Sequence, residues 1–509
     1  MDDRIRDITI GGTHGSTLLE PATMVMMGLM MGMLLFLRRN RAILPMLMVI
    51  ALIPAAQRVV IASLDFNMVR LMIVVGWIRI LARGEHKHLQ QFNEIDRALL
   101  MWTVSSLIFY TIGHARVSDF VYQLGVSIDM LGGYFMYRCF VRSRADIDFV
   151  LRCLAVITSL LGFLLWYEFT EGSNLFHVFG ANESVYVSEH TDRVRAVGPF
   201  SHPILSGCFA AGMMPIIIYL FSAERKRRPY YAISMVGTLL LVIAANTSGG
   251  LMGFIGGIGA WGLWIFRRRI TAIWAGGAAL LLVLHLVMEK PIWHLYVRLA
   301  NVTGGTGYHR YNLVDACVER FTEWALFGTR NTAHWGWGLQ DITNQWVFEA
   351  VNGGLVTLLL FNYLLFVCFR SVGRAVRIAR RGRRRGLTRT DSRHLELMGW
   401  GIGSVLVANC TAFLGVSYFG QMNAVWYLVI AMVASYSGLP VFSARKSPAL
   451  AVGDSRRTAV TRSGPRTTVA ASPTDAPRVP RSDETLEDRR VKRPSAIASL
   501  LYGSSRESR

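Results

Sequence analysis

The chain has 509 residues, of which 52% are hydrophobic and only 17% charged, against roughly 25% charged in an average soluble domain. Apolar runs of about 17–25 residues recur along most of it, which excludes an ordinary soluble domain and predicts an all-α polytopic membrane protein. The formal net charge of +21 invites a nucleic-acid partner. The positive charge falls mostly in short loops between apolar runs and in the tail, however, which is the pattern of the positive-inside rule, so no nucleic acid is expected.

The six cysteines, Cys139, Cys153, Cys208, Cys317, Cys368 and Cys410, lack the spacing of a metal site or a disulfide framework, and neither zinc nor redox chemistry is expected. The first sixteen residues are polar and mildly acidic. The first apolar run is long enough to remain as an anchor, so no cleavable signal peptide is expected.

In chain order the apolar runs predict about twelve or thirteen transmembrane helices, near 18–37, 43–63, 67–82, 97–114, 118–141, 147–169, 202–222, 229–247, 249–266, 270–288, 346–370, 396–418 and 422–443. Basic residues follow the first run (Arg38, Arg39, Arg41), the third (Arg83, His86, Lys87), the fifth (Arg142, Arg144), the seventh (Lys226, Arg227, Arg228), the ninth (Arg267, Arg268, Arg269) and the eleventh (Arg380 to Gly386). If the spans alternate, all of these share one side, and that side is the cytoplasm. The N-terminus is then outside, the C-terminus is inside, and the loops at 170–201 and 289–345 are both outside. The runs at 229–247 and 249–266 meet at Asn246-Thr247-Ser248-Gly249-Gly250. They are read as two spans, because a re-entrant unit there would break the basic pattern.

Residues 1–443 thus form a transmembrane helical domain. From 444 to 509 the composition turns to Arg, Ser, Thr, Pro and Asp, a segment unable to bury enough surface to offset its ordering entropy, so a basic disordered cytoplasmic tail is expected. Attraction to anionic membrane lipids is the sharper reading of that tail.

The loop at 289–345 is the centre of the chain's chemistry. A polar connection of roughly 55 residues inside a membrane domain is uncommon unless it is functional. Asp315, Glu319 and Glu323 are spaced four apart and share a face if helical, giving either acids for a reaction or a solvated face of a surface helix. His309 and His334 can act as bases near neutral pH or pack against Tyr308, Trp335 and Trp337. Trp324, Trp335, Trp337 and Trp346 suit an interfacial belt, with sugar stacking as the other use. Metal-ligand spacings such as His-x-x-x-His are absent, so neither metal nor cofactor is expected.

The first loop ends in Asp192-Arg193-Val194-Arg195-Ala196-Val197-Gly198-Pro199-Phe200-Ser201-His202-Pro203. Ser201 is the expected helix cap and Pro203 fits the first turn. Arg193 and Arg195 beside that helix N-terminus make a place for a phosphate, or else are interfacial anchors to lipid headgroups.

These pieces, in this order, resemble the O-antigen ligase and Wzy polymerase superfamily of bacterial envelope glycan enzymes. Arg195 to Pro203 resembles that family's Arg-x-x-Gly-x-Phe-x-Asn/His-Pro motif, and Asn246 to Gly250 its small polar Ser-x-Gly turn. Arg310, Trp324 and Leu326-Phe327-Gly328 are similar to the Arg…Trp…Pro-Leu-x-Gly order of its large loop. Thr343-Asn344-Gln345-Trp346 with Gly353-Gly354 lies where the family has His-Asn-x-x-Leu…Gly. The likeness covers about residues 145–370.

The resemblance implies a metal-independent glycan ligase or polymerase of the glycosyltransferase class, placed in the bacterial inner (cytoplasmic) membrane. It would move a glycan from an undecaprenyl-diphosphate donor to a glycan or lipid-glycan acceptor at the outer face, in exopolysaccharide or other cell-envelope polysaccharide biosynthesis. Arg195 and Arg310, with Arg193, would hold the diphosphate. Asn344, His334, Asp341 and Glu323 are the candidate catalytic residues, since Thr343 stands in place of the family's histidine and cannot serve as a base at neutral pH. The implied partners are the polyprenyl-diphosphate-linked glycan, the acceptor, membrane lipids and other polysaccharide-export proteins.

Two other readings stay open on the residues. A transporter or flippase of a lipid-linked or anionic solute would use ionisable residues within spans, with Asp129, Arg70 and Arg79 as candidates. A non-catalytic component of an envelope polysaccharide synthesis complex would need none of these chemistries.

Overall fold

The computed structural model describes residues 16–442 apart from 62–63, 91, 185, 188–193, 296, 298–306 and 383–386. The tail at 444–509 and Arg193 therefore lie outside the described residues.

An apolar run in a bilayer must satisfy its backbone N–H and C=O groups within itself, and the helix is the solution open to a single segment. The runs are helical: α1 (Pro21–Phe36), α2 (Ile43–Leu52), α3 (Met68–Ala82), α4 (Glu94–His114), α5 (Val117–Phe140), α6 (Arg144–Glu171), α7 (Pro203–Ala223), α8 (Arg228–Ala245), α9 (Ser248–Gly262) and α10 (Ile270–Val287). The large loop adds α11 (Gly307–Glu319) and α12 (Phe321–Trp324), followed by α13 (Gln345–Arg380), α14 (Arg389–Phe413) and α15 (Gln421–Ser437). The protein is an all-α polytopic chain.

Among the described residues, eight helical spans are long and apolar enough to cross a membrane: α4, α6, α7, α8 with the turn before it from Arg225, α9 continued to Phe266, α10, α13 and α14. That is fewer than the twelve or thirteen expected. The run at 43–63 shows why. Its helix α2 has ten residues, or about 15 Å, against roughly 30 Å of hydrocarbon. Pro54 follows, and the chain turns into a hairpin of β1 (Arg58–Ile61) and β2 (Leu64–Asn67), with Arg58 opposite Asn67. α1, α3 and α15 have 16, 15 and 17 residues. α5 is longer but carries Asp119, Gln123, Asp129 and Arg138.

Side-chain contacts sort the loops into two ends. At one, Arg39 meets Asp146 (3.1 Å), Arg144 meets Asp391 (2.9 Å), Arg152 meets Glu224 (2.7 Å) and Arg380 meets Glu396 (2.7 Å). At the other, Gln421 donates to the carbonyls of Ile53 (2.7 Å) and Pro199 (2.9 Å), and the Ala196 N–H donates to the Ala244 carbonyl. α8 and α9 each run from one end to the other and are separated by Asn246 in the left-handed conformation (φ 45°).

α7 and α15 are the most enclosed helices, buried along almost their whole length. α9 approaches α7 and α14 through Gly253 and Gly257: a Cβ on Gly253 would lie 3.0 Å from the Ala408 carbonyl, and one on Gly257 3.0 Å from Pro215 Cγ. Small residues at fourfold spacing let helix backbones close in this way. α10 buries no residue.

The large loop has its own small core of Leu313, Cys317, Trp324, Trp335 and Leu339, seated on Val347 and Val351 of α13. α13 opens to receive it at Gly354, where φ is 67° and ψ −172°. A Cβ there would meet the Leu326 carbonyl at 2.6 Å, so only glycine fits both the angle and the space. The freed Leu355 N–H donates instead to Ala325 of the loop (2.9 Å).

Candidate functional site

Arg195 sits on a short strand, β4 (Val194–Arg195), paired with β3 (Tyr186–Val187) so that Arg195 faces Tyr186. Two neighbouring elements fix the segment after it. The Glu168 carboxylate, from the last turn of α6, accepts the Val197 N–H (2.8 Å) and the Gly198 N–H (2.9 Å). From the α8–α9 turn, Asn246 Nδ2 reaches the Val194 carbonyl (3.5 Å).

The cap of α7 is His202, not the expected Ser201. Its Nδ1 accepts the Ile204 N–H at 3.1 Å, a role open only to a neutral imidazole. Burial, with the Arg195 charge added, pushes His202 down to about 4 and keeps it neutral.

Arg310 lies in the first turn of α11 and is buried. Leu313 and Cys317, three and seven residues on, carry the same helix face into the loop core. Arg310 Nη2 donates to Ser248 Oγ at 2.9 Å, and Nη1 rests 4.0 Å from Met252 Sδ. Gly415 lies against the guanidinium, where a Cβ would come within 3.1 Å of Cζ. Ser248 opens α9, so this cation faces the positive end of a helix dipole. That arrangement is unfavourable alone and favourable with an anion between.

Asn344 is the cap of α13, its Oδ1 accepting from the Trp346 N–H (2.9 Å) and Val347 N–H (3.2 Å) while Nδ2 donates to the Leu414 carbonyl (3.4 Å). The loop at 414–420 is further tied down by Ser417 Oγ on the Ile342 carbonyl (2.8 Å) and by the Tyr418 N–H on Gln345 Oε1 (2.8 Å). Gln345 in turn donates to buried Glu349 (2.8 Å), which also accepts from Trp102 Nε1 (2.9 Å). The Oδ1 of Asn344, a residue expected among the catalytic ones, is committed to the helix cap. Thr343 Oγ1 and Thr247 Oγ1 are buried with no hydrogen-bond partner among the described residues.

No protein-family model matches the chain, and no curated protein matches it. What can be said of the site rests on its own geometry.

The two expected acid candidates separate. Glu323 is bound by His334 Nε2 (3.0 Å), Trp335 Nε1 (3.1 Å) and Thr329 Oγ1 (3.1 Å). Desolvation pushes its carboxyl upward, but these hydrogen bonds outweigh it and hold the group below the usual carboxylate range. Such a carboxylate is a poor base, and His334 is spent on it.

Asp341 is different. Crowding by the protein raises its carboxyl above the usual value, with the charges of His309 and Arg310 pulling the other way. His309 Nε2 lies 3.1 Å from the Asp341 carbonyl. Asp341 is thus the acid that feels the Arg310 charge.

The shared acidic face of Asp315, Glu319 and Glu323 does not form. α11 ends at Glu319, Arg320 leaves helical geometry (φ −97°, ψ 30°), and Asp315 accepts from Trp293 Nε1 (2.9 Å). The tryptophans divide as well: Trp324 donates to the Cys317 carbonyl in the loop core, while Trp337 is 93% exposed. Asp129 is held by Arg70 through two hydrogen bonds (2.9 and 2.7 Å), and Arg79 pairs with Glu85 at the opposite end.

Sequence reasoning missed Glu168, Gly415, Ser417 and Glu349. A signal existed for two of them: a glutamate in the last turn of the run at 147–169, and another in the first turn of the run at 346–370.

Proposed function

We propose that the protein transfers a glycan from a polyprenyl-diphosphate donor to an acceptor hydroxyl at the loop end of the bundle, the outer face of a bacterial inner membrane. One observation carries this reading. The Asn246–Ser248 turn takes the Arg310 guanidinium at Ser248 and the Arg195 strand at Val194, so one turn anchors the strands and helices that present both arginines. α7, α9 and α13 also begin at this end, at Pro203, Ser248 and Gln345, with their positive dipole ends.

In this mechanism the arginines and helix termini neutralise the departing diphosphate, where negative charge grows in the transition state. Asp341, its carboxyl raised and under the influence of the Arg310 charge, takes the proton of the acceptor hydroxyl as the new glycosidic bond forms. The buried, unpartnered hydroxyls of Thr247 and Thr343 are suited to polar groups of the donor.

The test is Arg310→Ala in the native host, with expression and membrane insertion matched to wild type. Loss of polymer with accumulation of lipid-linked intermediates is the expected result. Unchanged polymer would remove the enzyme assignment and leave the loop as a binding or assembly surface.

A further inference from the structure

The opposite end of the bundle holds a cavity of about 410 Å³ lined by Trp264, Arg267, Arg380, Arg389, Ser392, Arg393 and Glu396. We propose that it is a binding site for a phosphate group, supplied by the headgroup of an anionic lipid. The reading is independent of the glycan-transfer assignment.

The charges carry it first. Four arginines line the cavity beside one carboxylate, and that carboxylate is already shared: Glu396 accepts from Arg380 Nε at 2.7 Å and pairs with Arg267 Nε at 3.5 Å. Arg380 is fixed further by donating to the Arg267 carbonyl at 3.2 Å. Arg389 and Arg393 have no carboxylate partner among the described residues, and both are exposed. The cavity therefore carries cations in excess, two of them held in place and two unpaired. Guanidinium forks match the paired oxygens of a phosphate better than a point charge does.

The aromatic wall indicates depth. Arg267 Cζ lies 4.4 Å over the Trp264 ring, and Trp264 packs edge-on against Trp400 at 5.5 Å. Tryptophan beside arginine at the end of an apolar helix is the signature of the headgroup layer, and basic pockets between transmembrane helices are suited to anionic headgroups. The first turn of α14, which begins at Arg389, adds its positive dipole end on the same side.

The experiment uses the full-length chain purified in a neutral detergent, with ligand retention read by native mass spectrometry. Phosphatidylglycerol, phosphatidylcholine and inorganic phosphate are titrated separately at constant ionic strength. The variants are Arg389→Ala with Arg393→Ala, and as a control Arg225→Ala with Lys226→Ala, which removes two exposed charges from the same end outside the cavity. The cavity pair is exposed and free of ion pairs among the described residues, so the double variant is expected to fold.

Phosphatidylglycerol is expected to be retained over phosphatidylcholine, with the cavity variant weakened roughly 25-fold, about fivefold per arginine, and the control near wild type. Retention of inorganic phosphate that is lost in the cavity variant would keep the phosphate site and move its source from lipid to free anion. Equal loss in both variants, or no loss in the cavity variant, overturns the proposal.

Discussion

Arg310 on the large loop donates to Ser248 at the start of α9, across 62 residues of chain, at 2.9 Å. A hydrogen bond from a charged donor contributes about 1.5–3 kcal/mol, and here it also aims the guanidinium. Ser248→Ala is therefore expected to lower glycan transfer roughly tenfold or more at normal protein level, read as accumulated lipid-linked intermediate. Wild-type transfer by this variant would mean that Arg310 is positioned without Ser248.

Gly415 supports the same guanidinium from the other side. An added Cβ would sit 3.1 Å from Cζ, forcing the arginine to give way. Gly415→Ala is expected to insert normally and to lose activity nearly as far as Arg310→Ala. Full activity in this variant would show that the guanidinium has room to move.

Asp341 and His334 make opposite predictions. Asp341→Asn removes the proposed base and is expected to abolish transfer, whereas His334→Ala frees Glu323 and is expected to cost only a few-fold. A base must be ionised, so activity falls as pH drops through the carboxyl's value. Because that value is raised, the acid limb should lie above the roughly 3.9 of an ordinary aspartate. A transfer assay in membranes across pH, with both variants, decides between the two residues.

Glu168 accepts two backbone N–H groups of the segment that carries Arg195. Glu168→Ala leaves both without this acceptor, at a cost of about 1–3 kcal/mol for the buried Gly198 group. Amide exchange at Val197 and Gly198 is expected to quicken by at least tenfold. Unchanged exchange would show that the segment is held by other contacts.

His202 gives a pH dependence of definite sign. Its value is about 4 in the folded chain, against roughly 6.5 when unfolded. Between these values the unfolded state binds a proton that the folded state does not, so stability falls as pH falls from about 6.5 to 4. Above 6.5 both states are neutral and the effect vanishes. His202→Asn keeps an acceptor at the cap but does not titrate. Thermal unfolding of the two proteins across this range should therefore show a steeper acid decline for the wild type.

Much of the architecture was legible because it is local. Each apolar run must close its own backbone hydrogen bonds, so the positions of the helices follow from composition. The shared end of the loops carrying Arg195 and Arg310 follows from counting them. The run at 43–63 misled because apolar content does not reveal that Pro54 stops the helix after ten residues and a hairpin follows. Cap propensity points to Ser201, whereas His202 takes the role because burial, which propensity does not register, keeps its imidazole neutral.

The sequence by itself determined the helical class, the order of the apolar runs and the two arginines worth testing, all properties of residues near one another in the chain. Only the tertiary structure decided that Glu323 is spent on His334, that burial raises the Asp341 carboxyl, and that Gly354 opens α13 to seat the loop. Those outcomes depend on contacts between distant segments and on a backbone angle that only glycine adopts freely, neither of which is written in local periodicity.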